Sequence, residues 1–263
     1  MDQTRSADGT QIAFEKLGSG PPVILVGGAF CDHRARTAGL PLARLLGSSL
    51  TVVAYDRRGR GGSGDTTPYA VAREVEDLAA LVHEVGGSAQ IYGHSSGAIL
   101  AFEAALAGLP ITRLALYEPP LVLSPDREPL PHDLVEQLRN LTAENKRSEA
   151  AELFITRAVG RPASAIAPAK AGPHWPSFEA LAHTLSYDAE LAQNPADLVA
   201  RAEKLARPTL VLDGGKSQAW LRLGAEKLAA AIPGAKHVRL PEQSHDVDPV
   251  ALAPHLLEFF ELK

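Results

Sequence analysis

Five residues, Gly93-His94-Ser95-Ser96-Gly97, carry the strongest chemical signal in the chain. They follow a short apolar run at 90–92 and precede an Ala- and Leu-rich stretch at 96–109 with helical spacing. A serine with glycine two residues to either side, on a sharp strand-to-helix turn, is the arrangement that exposes a hydroxyl nucleophile. The glycines are needed because such a turn brings its own backbone close to its neighbours. Ser95 then stands at the positive end of the following helix, and the Ser96 amide points to where an oxyanion would form. A hydroxyl attacks well only when a base removes its proton. That base must be found elsewhere in the chain.

Nine histidines are available, and position sorts them. His83 and His255 fall within amphipathic helical patterns. His33 sits in a loop, where a structural role is expected. His94 is next to Ser95 on the chain and is expected to point elsewhere. His132, His174 and His183 belong to a helical segment, where His174 and His183 could touch a substrate, and His237 opens a strand. Only His245 lies just past the C-terminal end of a strand, after the turn residues 241–244. Catalytic groups gather in such loops of open α/β sheets.

Ser95 and His245 can meet only if a sheet carries both. Short β-branched runs at 22–26, 50–55, 90–92, 111–117, 208–212 and 237–240 alternate with helical patterns. This rhythm predicts an α/β fold with a mostly parallel sheet and helices on both faces. Residues 11–16 alternate apolar and polar, as an antiparallel edge strand would. Helices are expected after Thr67-Pro68 through Val71, Val75, Leu78 and Val82, then over 96–109, 225–232 and 252–260. Residues 121–206 break the rhythm. Leu134, Leu138 and Leu141 mark one helix, 148–159 a second, and 178–191 a third after a Pro-rich stretch. The expected organisation is a core of 1–120 and 207–263, with 121–206 as a helical lid insert over the sheet's C-terminal edge.

The whole pattern resembles the α/β-hydrolase family. Beside the elbow, Val23-Ile24-Leu25-Val26-Gly27-Gly28-Ala29-Phe30 is similar to its strand and oxyanion loop, with Gly27 in place of the usual His. Asp56-Arg57-Arg58-Gly59-Arg60-Gly61-Gly62-Ser63 is similar to its D-x-R-G-x-G-x-S turn, and Ser244-His245-Asp246 falls where its catalytic histidine lies. The resemblance implies Ala29 as the second oxyanion donor. It also implies an acid after the penultimate strand, where this chain has Ser217 in Leu212-Asp213-Gly214-Gly215-Lys216-Ser217. A serine cannot stabilise an imidazolium by charge. Glu118, at the end of the 111–117 strand, is where some haloalkane dehalogenases of this fold keep their acid; Asp213 is the alternative, and a dyad without an acid is the third option. Phe30, Trp175 and Tyr187 are candidate pocket walls or lid core. The arginines of the 56–63 turn are expected to be solvated or salt-bridged, with an anionic-substrate role as the lesser reading.

The remaining chemistry is limited by composition. With 26 basic and 31 acidic residues the net charge is −5, which does not suit a phosphate-backbone partner. Cys31 is the single cysteine, so neither a disulfide within the chain nor a Cys-based metal cluster is available. No dinucleotide fingerprint, Walker sequence or metal-ligand cluster occurs, so no cofactor and no metal are implied. The N-terminal ten residues lack the apolar core of a signal peptide and no stretch is long enough to span a bilayer, giving the expectation of a cytoplasmic protein acting on a small molecule. Oligomeric state is not encoded legibly. The expected activity is hydrolysis of a carboxylic ester, lactone or thioester through an acyl-enzyme on Ser95. The Ser217 departure keeps open a lyase, cyclase or cofactor-free oxidative enzyme, or a ligand-binding receptor with a degenerate triad.

Overall fold

The computed structural model describes residues 1–261. Its strands are β1 (Asp2–Arg5), β2 (Gln11–Leu17), β3 (Pro22–Val26), β4 (Thr51–Tyr55), β5 (Ala89–His94), β6 (Ile111–Tyr117), β7 (Thr209–Gly214) and β8 (Lys236–Leu240). They form one sheet in the order β1-β2-β4-β3-β5-β6-β7-β8. β1 and β2 join antiparallel at one edge, and β3 to β8 pair in parallel. The inner strands are buried on both sides, which is why they read as short, mainly apolar runs, clearest in β3.

The helices are α1 (Leu40–Leu46), α2 (Val71–Glu84), α3 (Ser96–Leu106), α4 (Leu134–Ala143), α5 (Arg147–Arg157), α6 (Ile166–Lys170), α7 (Trp175–Ala180), α8 (Leu185–Leu191), α9 (Pro195–Arg201), α10 (Ala219–Ala231) and α11 (Pro249–Glu261). Alternate side chains of each strand enter different cores. Ile24 and Val26 pack with α2, α3, α10 and the helices between β6 and β7, whereas Val23 and Leu25 pack with α1 and α11. The chain is therefore the expected α/β fold with both faces covered. α3 is buried nearly all round, from Ser96 to Ala104, because it lies between the sheet and α8.

Several elements differ from the sequence expectation, among them the short helices α6 and α9. β1 is polar and largely exposed, so no apolar alternation announces it; it is recruited by backbone pairing to β2. α1 is seven residues long, and its buried Leu42, Ala43 and Leu46 are too few to show a period. The helix expected over 178–191 is divided into α7 and α8 by a single 3₁₀ turn at Ala182–Thr184. No described helix is long and apolar enough to cross a membrane.

Candidate active site

β5 ends at His94 and α3 begins at Ser96, so Ser95 alone makes the turn. Its φ of 58° and ψ of −128° cost on the order of 1–3 kcal/mol for a non-glycine residue, tolerated only where the surroundings enforce it. Here they do. The Ser95 N–H donates to the Tyr117 carbonyl at 2.9 Å. A Cβ on Gly97 would run into the Val26 and Gly27 carbonyls, and one on Gly93 into Gly97 and Ala98. The spacing of glycine, serine and glycine is thus set by strand β3 and the first turn of α3. Ser95 Oγ has no hydrogen-bond partner among the described residues.

Glu118 follows directly on β6 and turns the chain with φ 43°, while its N–H still bonds the Leu212 carbonyl at 3.0 Å. The side chain is fully buried. Its Oε1 accepts from the Gly214 N–H at 2.6 Å, and its Oε2 lies 2.7 Å from His245 Nδ1. A carboxylate in that place makes Nδ1 the protonated nitrogen and leaves Nε2 with a free lone pair. Of the candidates for the acid, Glu118 is the one in contact with His245.

Asp213 is not that partner. It pairs across the β7–β8 ladder with Arg239, taking hydrogen bonds from Arg239 Nε at 2.5 Å and Nη2 at 3.1 Å, with His237 Nε2 at 2.6 Å. His237 and Arg239 are two apart on β8, so both side chains stand on one face of the sheet and hold the carboxylate there. The buried Ser217 hydroxyl has no hydrogen-bond partner among the described residues, so it does not stand in for an acid.

The loop bearing His245 is pinned by two groups that the sequence did not single out. His94 Nε2 lies 2.8 Å from the His245 carbonyl and donates to it; the two rings are 4.9 Å apart between centroids. Tyr117 donates its hydroxyl to the Ser244 carbonyl at 2.7 Å. His94, the last residue of β5, directs its ring to the loop that carries His245. Burial, with His245 beside it, pushes the His94 pKa down to about 3, so it serves as a neutral donor.

Ala29 and Ser96 flank the elbow. Neither backbone N–H has a partner among the described residues. The loop between them is held from behind by buried arginines. Arg57 forms a fork on Glu74 (2.6 and 2.7 Å) and reaches Asp188 at 2.7 Å and the Gly27 carbonyl at 3.3 Å. Arg60 bonds Asp188 at 2.7 Å and the Gly28 carbonyl at 2.5 Å. Arg58 pairs with Asp77 and Asp8. These guanidinium groups are at most 2% exposed and paired with buried carboxylates, so of the expected readings the salt-bridged one is found, as a buried ion-pair network.

Phe30 packs edge-on against Phe154 and tilted against Phe178, at 5.7 and 4.5 Å between centroids. Trp175 meets Phe178 at 6.1 Å and donates its Nε1 proton to Ser148 and Glu179. Tyr187 turns the other way, stacked on Tyr69 at 3.8 Å with its hydroxyl on Asp65 at 2.9 Å. His183 bonds the Gly59 carbonyl at 2.8 Å. Asp32, His33 and Asp56 bring potential metal-ligand atoms within 4.8 Å of one another. Asp56 is already bonded by His33 and the Gly62 N–H, and Asp32 by Arg34, so this group shapes the turn. Burial pushes the Cys31 thiol up to about 11, which suits a packing role.

Comparisons with known proteins agree with this fold. A family model described as "Alpha/beta hydrolase family" matches residues 23–257. The crystal structure of an alpha/beta hydrolase from Sphaerobacter thermophilus is 50% identical, with a TM-score of 0.90, covering 98% of this chain and 100% of that one. A thermophilic esterase from Thermogutta terrifontis is 25% identical at TM-score 0.72, covering 98% and 97%. The enol-lactonase from Burkholderia xenovorans, 20% identical at TM-score 0.74 over 99% and 100%, shares the fold.

Proposed function

This chain belongs to the alpha/beta hydrolase family, and on that premise we propose that it is a serine hydrolase cleaving a carboxylic ester, lactone or thioester through an acyl-enzyme on Ser95. The observation that carries this reading is the 2.7 Å contact of Glu118 Oε2 with His245 Nδ1. It supplies the charge that the serine at position 217 cannot, and so removes the reason for treating the site as degenerate.

His245 Nε2 takes the Ser95 proton as Oγ attacks the acyl carbon, and Glu118 stabilises the imidazolium. The Ala29 and Ser96 amides receive the oxyanion. His245 then protonates the leaving alcohol or thiol, and activates the water that releases the acid. The Ser95–His245 hydrogen bond forms as substrate binds; such contacts commonly tighten only in the complex. Residues 121–206 act as the lid, and Phe30 lines the acyl side of the pocket with Trp175 behind it. Tyr187 seats the lid on the core.

The test is fluorophosphonate labelling combined with hydrolysis of p-nitrophenyl acetate and butyrate. Labelling is expected at Ser95, lost in Ser95→Ala and slowed strongly in His245→Gln, with ester turnover lost in both. Turnover that survives Ser95→Ala would overturn the assignment.

A further inference from the structure

The buried carboxylate of Asp188, which no step above uses, touches a group bonded beside each of the two proposed oxyanion donors. It lies on α8, outside the sheet core, and is 1% exposed. Its Oδ1 accepts from the Ser96 hydroxyl and from Arg57 Nη1, both at 2.7 Å; its Oδ2 accepts from Arg60 Nη2 at 2.7 Å. Burial would raise its pKa, but Arg60, Arg57 and the Ser96 hydroxyl outweigh this and hold it below the usual carboxylate range. Asp188 is also the carboxylate paired with Arg60 among the described residues.

The consequence follows from peptide geometry. The carbonyl of Gly28 and the N–H of Ala29 belong to one trans peptide unit and point in opposite directions. Arg60 draws the Gly28 carbonyl to its own side at 2.5 Å, so the Ala29 N–H is aimed away from Arg60. Arg57 does the same to the Gly27 carbonyl at 3.3 Å. The other donor, the Ser96 N–H, belongs to the residue whose hydroxyl Asp188 holds directly. A single carboxylate thus orients one donor through a guanidinium and its partner through a hydroxyl. α8 is itself fixed to the 56–69 segment by Tyr187 on Asp65 and Tyr69, and by its neighbour His183 on Gly59.

We propose that Asp188 is a positioning residue that pre-aligns the Ala29 and Ser96 amides of the oxyanion hole and couples their alignment to the seating of α8. This rests on the hydrolase reading above. Loss of one oxyanion donor lowers kcat by about 10²–10³; misalignment of both donors is expected to fall in the same range.

The readouts are kcat, KM and the inhibition constant of a trifluoromethyl ketone, whose hemiketal oxyanion occupies the hole. Asp188→Asn is expected to lower kcat by about 10² with KM within threefold, and to weaken the ketone by a similar factor. Asp188→Glu is expected to recover part of both. Because Asp188→Asn leaves Arg60 buried without a counter-charge, the double variant Asp188→Asn/Arg60→Gln removes both charges, and Ser96→Ala keeps every charge while cutting one link. Ser96→Ala is expected to lower kcat and ketone affinity together by about tenfold, below the loss of a whole donor. A purely structural role would lower the melting temperature while leaving kcat per folded molecule and ketone affinity unchanged. That result in Ser96→Ala and the double variant would overturn the proposal. Labelling of Ser95 intact in those variants separates this failure from failure of the serine mechanism itself.

Discussion

Replacing Glu118 with glutamine tests the site at its most determined point. The two carboxylate oxygens face two donors, the Gly214 N–H at 2.6 Å and His245 Nδ1 at 2.7 Å, in a place without solvent. Glutamine offers one acceptor and one donor. The Gly214 N–H is a backbone group that can only donate, so the amide oxygen turns to it and the amide NH₂ turns to His245. Nδ1 must then accept, the imidazole proton moves to Nε2, and the base has no lone pair for Ser95. Holding the active tautomer instead would set an NH₂ against the Gly214 N–H, leaving a buried donor unpaired at a cost of about 1–3 kcal/mol. Either way transition-state stabilisation is lost. An acid-to-amide change that imposes the wrong tautomer in a serine triad costs about 10⁴ in kcat, equivalent to about 5.5 kcal/mol. The assay is steady-state hydrolysis of p-nitrophenyl butyrate, with the fluorophosphonate labelling rate as a second reading and circular dichroism and melting temperature as controls on folding. A fully folded Glu118→Gln that keeps kcat within tenfold of wild type would refute the tautomer argument and reopen the dyad.

Three further outcomes are expected. Gly28→Ala puts a Cβ 2.7 Å from Ser95 Cβ and 3.3 Å from its Oγ; displacement of the nucleophile is expected to lower kcat/KM by about 100-fold, and wild-type turnover would show that the elbow yields freely. Asp213→Asn weakens the bonds to His237 and Arg239, not to His245, so urea unfolding should show a loss of about 1–2 kcal/mol with kcat within threefold; the reverse pattern would make Asp213 the acid in place of Glu118. His94, with its folded pKa near 3, stays neutral while the unfolded chain protonates near 6.5. Between these values the unfolded state binds one more proton, so lowering the pH costs about 1.4 kcal/mol of stability per unit from this group. His94→Gln, which can still donate to the His245 carbonyl, should flatten the unfolding free energy between pH 6 and 4, and an unchanged slope would contradict the buried neutral histidine.

What the sequence determined on its own was local. The elbow could be read because glycine, serine and glycine at fixed spacing are a backbone requirement of one turn, and the parallel strands because burial on both faces makes them short, mainly apolar runs. The helical stretch between β6 and β7 showed itself by its period, and His245 by its place after a strand. Contacts across the sheet were decided only by tertiary structure. Glu118 and Asp213 both end strands and both carry a carboxylate; the choice between them depends on which lies beside the loop after β8, and Asp213 is taken by its cross-strand neighbours before it can reach His245. Whether the arginines of the 56–63 turn were solvated or salt-bridged stayed open because Glu74 and Asp188, the acids that pair with Arg57, are 17 and 131 residues distant from it. A short-range pattern follows from the backbone of one segment, whereas a charge pair follows from how separate elements dock. Docking energy is spread over two large apolar cores, and no single stretch of the chain records it.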